Sequence, residues 1–527
     1  MFSLKIHRYI FLFGLLTAPL GIMLAGVPAS LPIIILAANW LLEGRLIFKW
    51  HLLKSNKLFW AVFSLVLLYY LGLIYTSNFT FASNELRIAL PILILPIVLF
   101  STDSVDQSEF NLFLYSFILG CFLNSSWCVL YGFVLHHVEV GRDLSRLMSH
   151  IRLGLFLDFA IFCCFYFFIN AKNNWFKLFW MLAVIYFITM LLLLGLASGL
   201  VIFSALFILI VLIFIYRQKT FIKIVGIVLV IIFMSFIYYY VAEVYAKQTV
   251  ASTHHYNQLK ASNVAGRSYI HFDSLGLKEN GNYVYRNIQL EDLKKSWNAR
   301  APQDSFAYTP AYNLKRYHVL LRYLSSASLT KDADGIRALT SNDVLNISNN
   351  VTNREYSNWS FLQRRLYELM NEYDDFKNAR AVNGHSLLMR FIFWKAACEV
   401  VSRHPLIGVG TGDIQDELNK VYQSKFPNLN ASFYLRPHNQ FLSMAATYGL
   451  IGLCIFLISL FYPVFILRKQ LPKLFWIYFV ILLLSFMTED TLGTQAGIGF
   501  YAIFFIFFCS EANFRRQQIL AGLQANH

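Results

Sequence analysis

Charge is scarce in this chain: 14% of its 527 residues are Asp, Glu, Lys or Arg, whereas 57% are hydrophobic. Mean hydropathy is +0.53. A soluble fold of this length has no interior large enough to hide so much apolar surface. Paired cysteine is lacking as well. Of the seven cysteines, Cys121, Cys128, Cys163, Cys164, Cys454 and Cys509 lie in apolar runs, and Cys398 stands alone in polar sequence. One such thiol excludes an intramolecular disulfide in that polar region, and no Cys/His spacing resembles a zinc site. Neither a disulfide, a metal nor a cofactor is expected. Internal repeats and low-complexity tracts are also missing, which argues against a solenoid or a disordered chain.

Long apolar runs are what the chain has in quantity. Runs near 18 residues are enough to cross a bilayer as helix. Twelve are read: 8–24, 27–42, 58–75, 87–101, 110–135, 152–170, 176–195, 198–216, 221–241, 437–467, 472–488 and 494–510. The expected fold class is therefore an all-α polytopic membrane protein with about 12 transmembrane helices. Cations fall at alternate ends of these runs: Lys5 and Arg8; Arg45, Lys49, Lys54 and Lys57; Lys172 and Lys177; Arg217, Lys219 and Lys223; Arg468, Lys469 and Lys473; Arg515 and Arg516. With twelve spans all share one side, which the positive-inside rule makes cytoplasmic. Both termini are then cytoplasmic in a bacterial inner membrane. "VPAS" after the first run mimics a signal-peptide cleavage site, but the first span is expected to be retained.

The net charge of +15 could suggest nucleic acid as a partner. Much of the excess is the anchoring set just named, and the remainder suits an anionic partner at the outer membrane face. No nucleic-acid partner is expected; membrane lipids are.

The expected organisation is spans one to nine in 1–241, a large, mainly helical periplasmic loop in 242–436, the last three spans in 437–511, and a cytoplasmic tail in 512–527. Within the loop, "SLLMRFIFWKAACEVVSRH" reads as a helix stopped by Pro405. "DIQDELNKVYQ" reads as a shorter one with acids at its start. The intervening "GVGTGD" (Gly408 to Asp413) lacks the GK[ST] ending of a phosphate loop and follows a helix instead of a strand, so a tight turn between helices is the expectation. A close approach of backbone to ligand is the functional alternative.

Several polar groups sit where they are expensive. "RPHNQFLSMAATYGLIGL" places Arg436, His438 and Asn439 around Pro437 at the mouth of an apolar helix. An imidazole there suits a general base, and the helix start suits an oxyanion or phosphate; a capping or snorkelling His is the bland alternative. Arg390 opens an apolar helix and has the geometry to clamp a phosphate in a bidentate manner, or to snorkel. Arg142, Arg146, His150 and Arg152 form an external cationic cluster against the positive-inside rule, with anionic headgroups as the simpler use. Arg87 raises the same question. Asp158 lies deeper and could pair with Arg152 or another cation. Glu489 and Asp490 mark the turn between the last two spans, either as an ordinary acidic turn or as groups that orient a base or an acceptor.

Taken in order, "RFIFWKAACEVVSRHPLIGVGTGD", "RPHNQFLSMAATYGLIGL" and "TEDTLGTQAGIGFYAIF" resemble the signature region of the O-antigen ligase and Wzy-type polymerase superfamily; "SHIRLGLFL" is similar to a stretch in some members. The similarity covers Arg390 to about Phe508. It implies a GT-C-type, metal-independent membrane glycosyltransferase that takes a glycan from an undecaprenyl-diphosphate donor at the periplasmic side. Ligases deliver it to lipid A-core, polymerases to another repeat unit. The resemblance makes His438 the base and Arg390 a donor-diphosphate residue. Many members also carry a Ser-Arg pair at the start of the eighth span, where this chain reads Ser198–Gly199; Arg152, then Arg436, are the expected substitutes. Ligase is the leading expectation and polymerase the alternative. A transporter of lipid-linked glycan is the rival from another class, and a non-enzymatic scaffold a third reading.

Overall fold

The computed structural model describes residues 4–24, 26–135, 145, 147–249, 258–272, 276–306, 310–377 and 386–525. Arg142 and Arg146 lie outside them. The chain forms two compact units, one of Met1–Phe214 with Arg390–His527 and the other of Ile215–Met389.

The first unit begins with α1 (Leu4–Leu24), α2 (Gly26–Leu42), α3 (Leu46–Lys54), α4 (Lys57–Leu71), α5 (Phe79–Ile88), α6 (Leu90–Leu99), α7 (Gln107–Val129), α8 (His150–Asn170), α9 (Asn174–Leu193) and α10 (Ala197–Tyr216). Among the described residues nine helices are long and apolar enough to cross a membrane; every expected span lies on helical segments, although 58–75 and 472–488 fall on the shorter helices Lys57–Leu71 and Lys473–Thr488. The interior is aromatic. Phe113, Phe117, Phe156, Phe159, Tyr478, Phe500 and Phe504 are fully buried in a chain of ring contacts such as Phe113–Phe504 and Phe159–Tyr478, both 5.3 Å.

Where α8 meets α10, glycine faces glycine. A Cβ on Gly199 would lie 2.9 Å from the Cα of Gly154, so close approach of the two backbones requires both residues. Asp158 is fully buried one turn below Gly154, and its carboxylate oxygens accept no hydrogen bond. The expected pairing with Arg152 is not made. Six residues on a helix turn the side chain to a different face.

The second unit holds α11 (Thr220–Thr249), the β1 (Lys278–Glu279) and β2 (Asn282–Tyr283) hairpin, α12 (Leu290–Arg300), α13 (Pro310–Ser326), α14 (Ala333–Arg337), α15 (Ser341–Ser348) and α16 (Phe361–Lys377). Its core gathers Leu293, Trp297, Leu320, Tyr323 and Leu324. Glu279 is fully buried, yet it accepts from Arg322 (2.5 Å), Asn353 (2.8 Å) and Tyr367 (3.2 Å). Those three donors make an otherwise costly charge tolerable there.

The first unit resumes with α17 (Ser386–Arg403), α18 (Ile414–Lys425), α19 (Gln440–Leu467), α20 (Lys473–Thr488), α21 (Gln495–Phe500), a π-helical turn at Tyr501–Ile506, and α22 (Phe507–Ala525). The tenth expected span, 437–467, is not one straight helix. Gly449 is non-helical (φ 69°, ψ −174°), and the rings of Phe441 and Phe456 stand 5.9 Å apart. Fifteen residues of straight helix would separate them by about 22 Å, so the chain turns back at Gly449. Residues 450–467 form the membrane-length piece, about 27 Å at 1.5 Å per residue. Residues 440–448 form a separate short helix that carries His438 at its start.

The glycine cluster explains how this break survives in an apolar setting. Breaking a helix orphans backbone groups that must find partners. Val409 and Gly410 donate to the carbonyls of Ala446 and Thr447, and the amides of Leu450 and Ile451 donate to the carbonyls of Pro405 and Leu406, all at 2.8–3.2 Å. Gly408 (φ 68°) abuts the Thr447 carbonyl, and a Cβ on Gly449 would lie 2.1 Å from the Leu406 oxygen. The turn expected at Gly408–Asp413 is present between α17 and α18, and its backbone approaches another stretch of backbone.

Candidate functional site

Three chain segments converge at one end of the first unit: the start of α17, the entry to α19, and the 489–494 turn after α20. Pro437 and the left-handed conformation of His438 (φ 50°) bring the chain sharply into the short helix, and the Asn439 side chain caps it by accepting from the Leu442 amide (3.1 Å). The amide of His438 donates to Asp490 Oδ2 (3.1 Å). Ser443 donates to the other oxygen of the same carboxylate. Asp490 thus fixes the backbone on which the imidazole stands.

Glu489 fixes the ring itself. Its Oε2 lies 2.9 Å from His438 Nδ1, and its Oε1 accepts from Arg390 (2.7 Å). Arg152 approaches the same carboxylate at 4.0 Å. Burial pushes the Glu489 carboxyl up, but the hydrogen bond from His438 and the charges of His438, Arg152 and Arg390 outweigh it and hold the group below the usual carboxylate range. A carboxylate only accepts, so His438 Nδ1 carries the proton toward it and Nε2 is left as the basic nitrogen. Phe393, one turn beyond Arg390's start, packs its ring 5.7 Å from the imidazole.

Arg152 is 5% exposed. Its Nε donates to Thr494 and its Nη2 to the Asp490 carbonyl, both at 3.1 Å, whereas Nη1 is buried without a hydrogen-bond partner. A buried guanidinium nitrogen with nothing to donate to is unfavourable and suits an anionic ligand. Arg436 is placed differently: it donates to Glu85 (2.6 Å) at the end of α5 and stacks over Phe81. Arg87 donates to Asn84. Asn439 also donates to the Met487 carbonyl (3.2 Å), a bond that ties the helix entry to the end of α20.

The site residues therefore divide. His438, Arg390, Arg152, Glu489 and Asp490 are brought together; Asn439 serves the helix start, and Arg436 belongs to a neighbouring ion pair. Sequence reading overlooked Glu85, Phe393, Ser443 and Thr494. Glu85 carried a signal, as an acid at the start of an apolar run in "SNELRIAL". The others are ordinary residues whose use depends on contacts far along the chain. Among the described residues no group of three His, Cys, Asp or Glu side chains is arranged to hold a metal; the carboxylates here face cations of the protein.

A comparison with curated proteins returned no match. Residues 344–457, which contain Arg390 and His438, match the family model described as O-antigen ligase, and that match supports membership of the O-antigen ligase superfamily.

Proposed function

We propose that the protein is an O-antigen ligase-like glycosyltransferase that moves a glycan from undecaprenyl diphosphate to lipid A-core, or a similar acceptor, on the periplasmic face of the inner membrane. The observation that carries this reading is the His438–Glu489–Arg390 cluster with the unpartnered Nη1 of Arg152 beside it. Cations of this kind hold a lipid diphosphate and stabilise the charge that grows on it as it leaves. Arg390 and Arg152 are the donor residues, and Arg436 stands behind them in the Glu85 pair.

His438 Nε2 takes the proton of the acceptor hydroxyl as its oxygen attacks the anomeric carbon. The bond from that carbon to the phosphate oxygen breaks, and the electron pair leaves with the lipid diphosphate. Attack in line with the leaving group inverts the anomeric centre. Glu489 stabilises the imidazolium that forms, and Asp490 holds the loop that presents it. The chemistry asks for charge neutralisation and one base, so no metal is assigned a role.

Replacing His438 with Ala at normal expression in the native host tests the reading. Loss of glycan-capped lipid A-core with lipid-linked polymer accumulating is the expected result. Accumulation of single repeat units would indicate a polymerase instead, and a full-length, correctly attached ladder would remove His438 from the chemistry.

A further inference from the structure

The opposite end of the first unit carries a second feature that the proposed transfer does not use. An open groove of about 480 Å³ runs between α4 and the 450–467 segment of α19. Its walls are Ala61 and Ser64 on one helix and Ile455 and Ile458 on the other, with Tyr462 further along. Of its lining residues, one is charged: Lys57, the first residue of α4, which is exposed and makes no ion pair among the described residues. The groove is thus an apolar slot with a cation at one end.

The surroundings of Lys57 make that end resemble a headgroup zone. After α2 the chain bends by 111° into α3, which is exposed through Leu46, Ile47, Phe48, Trp50 and Leu52. Such a short helix, apolar on nearly every side and turned across the line of its predecessor, is stable at the level of lipid headgroups and not in water. Trp50 stacks edge-on against Trp60 at 6.2 Å, and the Trp60 indole donates to the Lys54 carbonyl (3.1 Å). Paired tryptophans are characteristic of the membrane–water boundary. Arg45, His51 and Lys54 are exposed on the same segment, while Lys49, the cation facing inward, is satisfied by Glu43 and the Trp40 carbonyl.

We infer that this groove binds an anionic phospholipid of the leaflet on the basic side of the protein. The headgroup phosphate pairs with Lys57 beneath the cations of α3, and an acyl chain lies along Ala61, Ser64, Ile455 and Ile458. Charge selects the ligand, because an apolar slot alone takes any acyl chain, whereas unpaired cations at its mouth favour lipids that carry net negative charge. The groove belongs to α4 and to the membrane-length piece of α19, so it is distinct from the His438 end of both segments, and this inference stands whether or not the transferase reading holds.

The test uses the full-length protein in mild detergent and native mass spectrometry, with phosphatidylglycerol and phosphatidylcholine added at equal concentration. The wild type is expected to retain phosphatidylglycerol in preference to phosphatidylcholine. Lys57→Gln should reduce that preference about fivefold, the effect of one cation near an anionic lipid surface. Ser64→Phe, which fills the slot without touching charge, should lower retention of both lipids. Equal retention of the two phospholipids by the wild type, or an unchanged preference in Lys57→Gln, would overturn the assignment.

Discussion

Glu489→Gln isolates the orienting role of the site's central carboxylate. The substitution keeps the shape and removes the charge. In the native site two charge-assisted hydrogen bonds end on Glu489, from Arg390 and from His438, and its side chain is 6% exposed. Bonds to a buried charged group are each worth about 1.5–3 kcal/mol. If the His438 bond strengthens as the imidazole gains its proton, its loss lowers the rate roughly 10- to 150-fold. The neutral amide also leaves Arg390 and Arg152 close together without their shared counter-charge, and breaking a buried pair costs about 3–5 kcal/mol. Thermal stability of the purified variant should therefore fall as well. The assay is transfer from a lipid-diphosphate donor at matched amounts of folded protein, with kcat and KM separated. A fall in kcat with acceptor KM little changed is the expected result. A kcat within twofold of wild type, with stability lowered, would refute the orienting role and leave Glu489 a structural ion-pair partner.

Further outcomes follow from the same geometry. Arg152→Gln should raise the donor KM by one to two orders of magnitude, about the worth of one charge-assisted contact, with acceptor KM unchanged in steady-state assays. Because Glu489 titrates below its ordinary range of about 4.3, its contribution to stability is complete above that value and is lost as pH falls through the depressed one. Wild-type thermal midpoints should drop in that acid window, and those of Glu489→Gln should drop less. Gly199→Ala should destabilise by about 1–3 kcal/mol through overpacking against Gly154, read as a lowered thermal midpoint. Asp158→Asn should keep or raise the midpoint, since it removes an unpaired acid from the interior.

The helices were legible in the sequence because their signal is local: long apolar runs, many of them flanked by Lys and Arg, which lie on helical segments. Arg390, His438 and Arg152 were legible for the opposite reason, as groups too polar for their surroundings. Their mutual arrangement was not. Glu489 meets His438 across 51 residues and Arg390 across 99, and nothing in an acidic turn of the "TED" kind says which cation it serves. The partner of Arg436 was equally hidden. At a helix start it reads as a phosphate ligand, and Glu85, the acid that pairs with it, lies 351 residues away. The reversal at Gly449 was hidden because "MAATYGLIGL" is apolar throughout, and the glycine that permits it looks like any other in a membrane helix. The departure at Ser198–Gly199 has a packing reason, since a side chain at 199 would strike the α8 backbone two residues beyond Arg152. The helix with the free guanidinium nitrogen is the helix that this glycine admits.

The central claim is that His438 is the base of a lipid-linked glycan transfer. Its most direct test is reconstituted transfer by purified wild type and His438→Ala in buffer containing chelator, with joined product and released undecaprenyl diphosphate counted together. The wild type should form the two in equal amounts, and the variant should fall by about 10²- to 10⁴-fold, the contribution of a general base. Transfer by His438→Ala near the wild-type rate, or donor cleavage by the wild type without joined product, would contradict it.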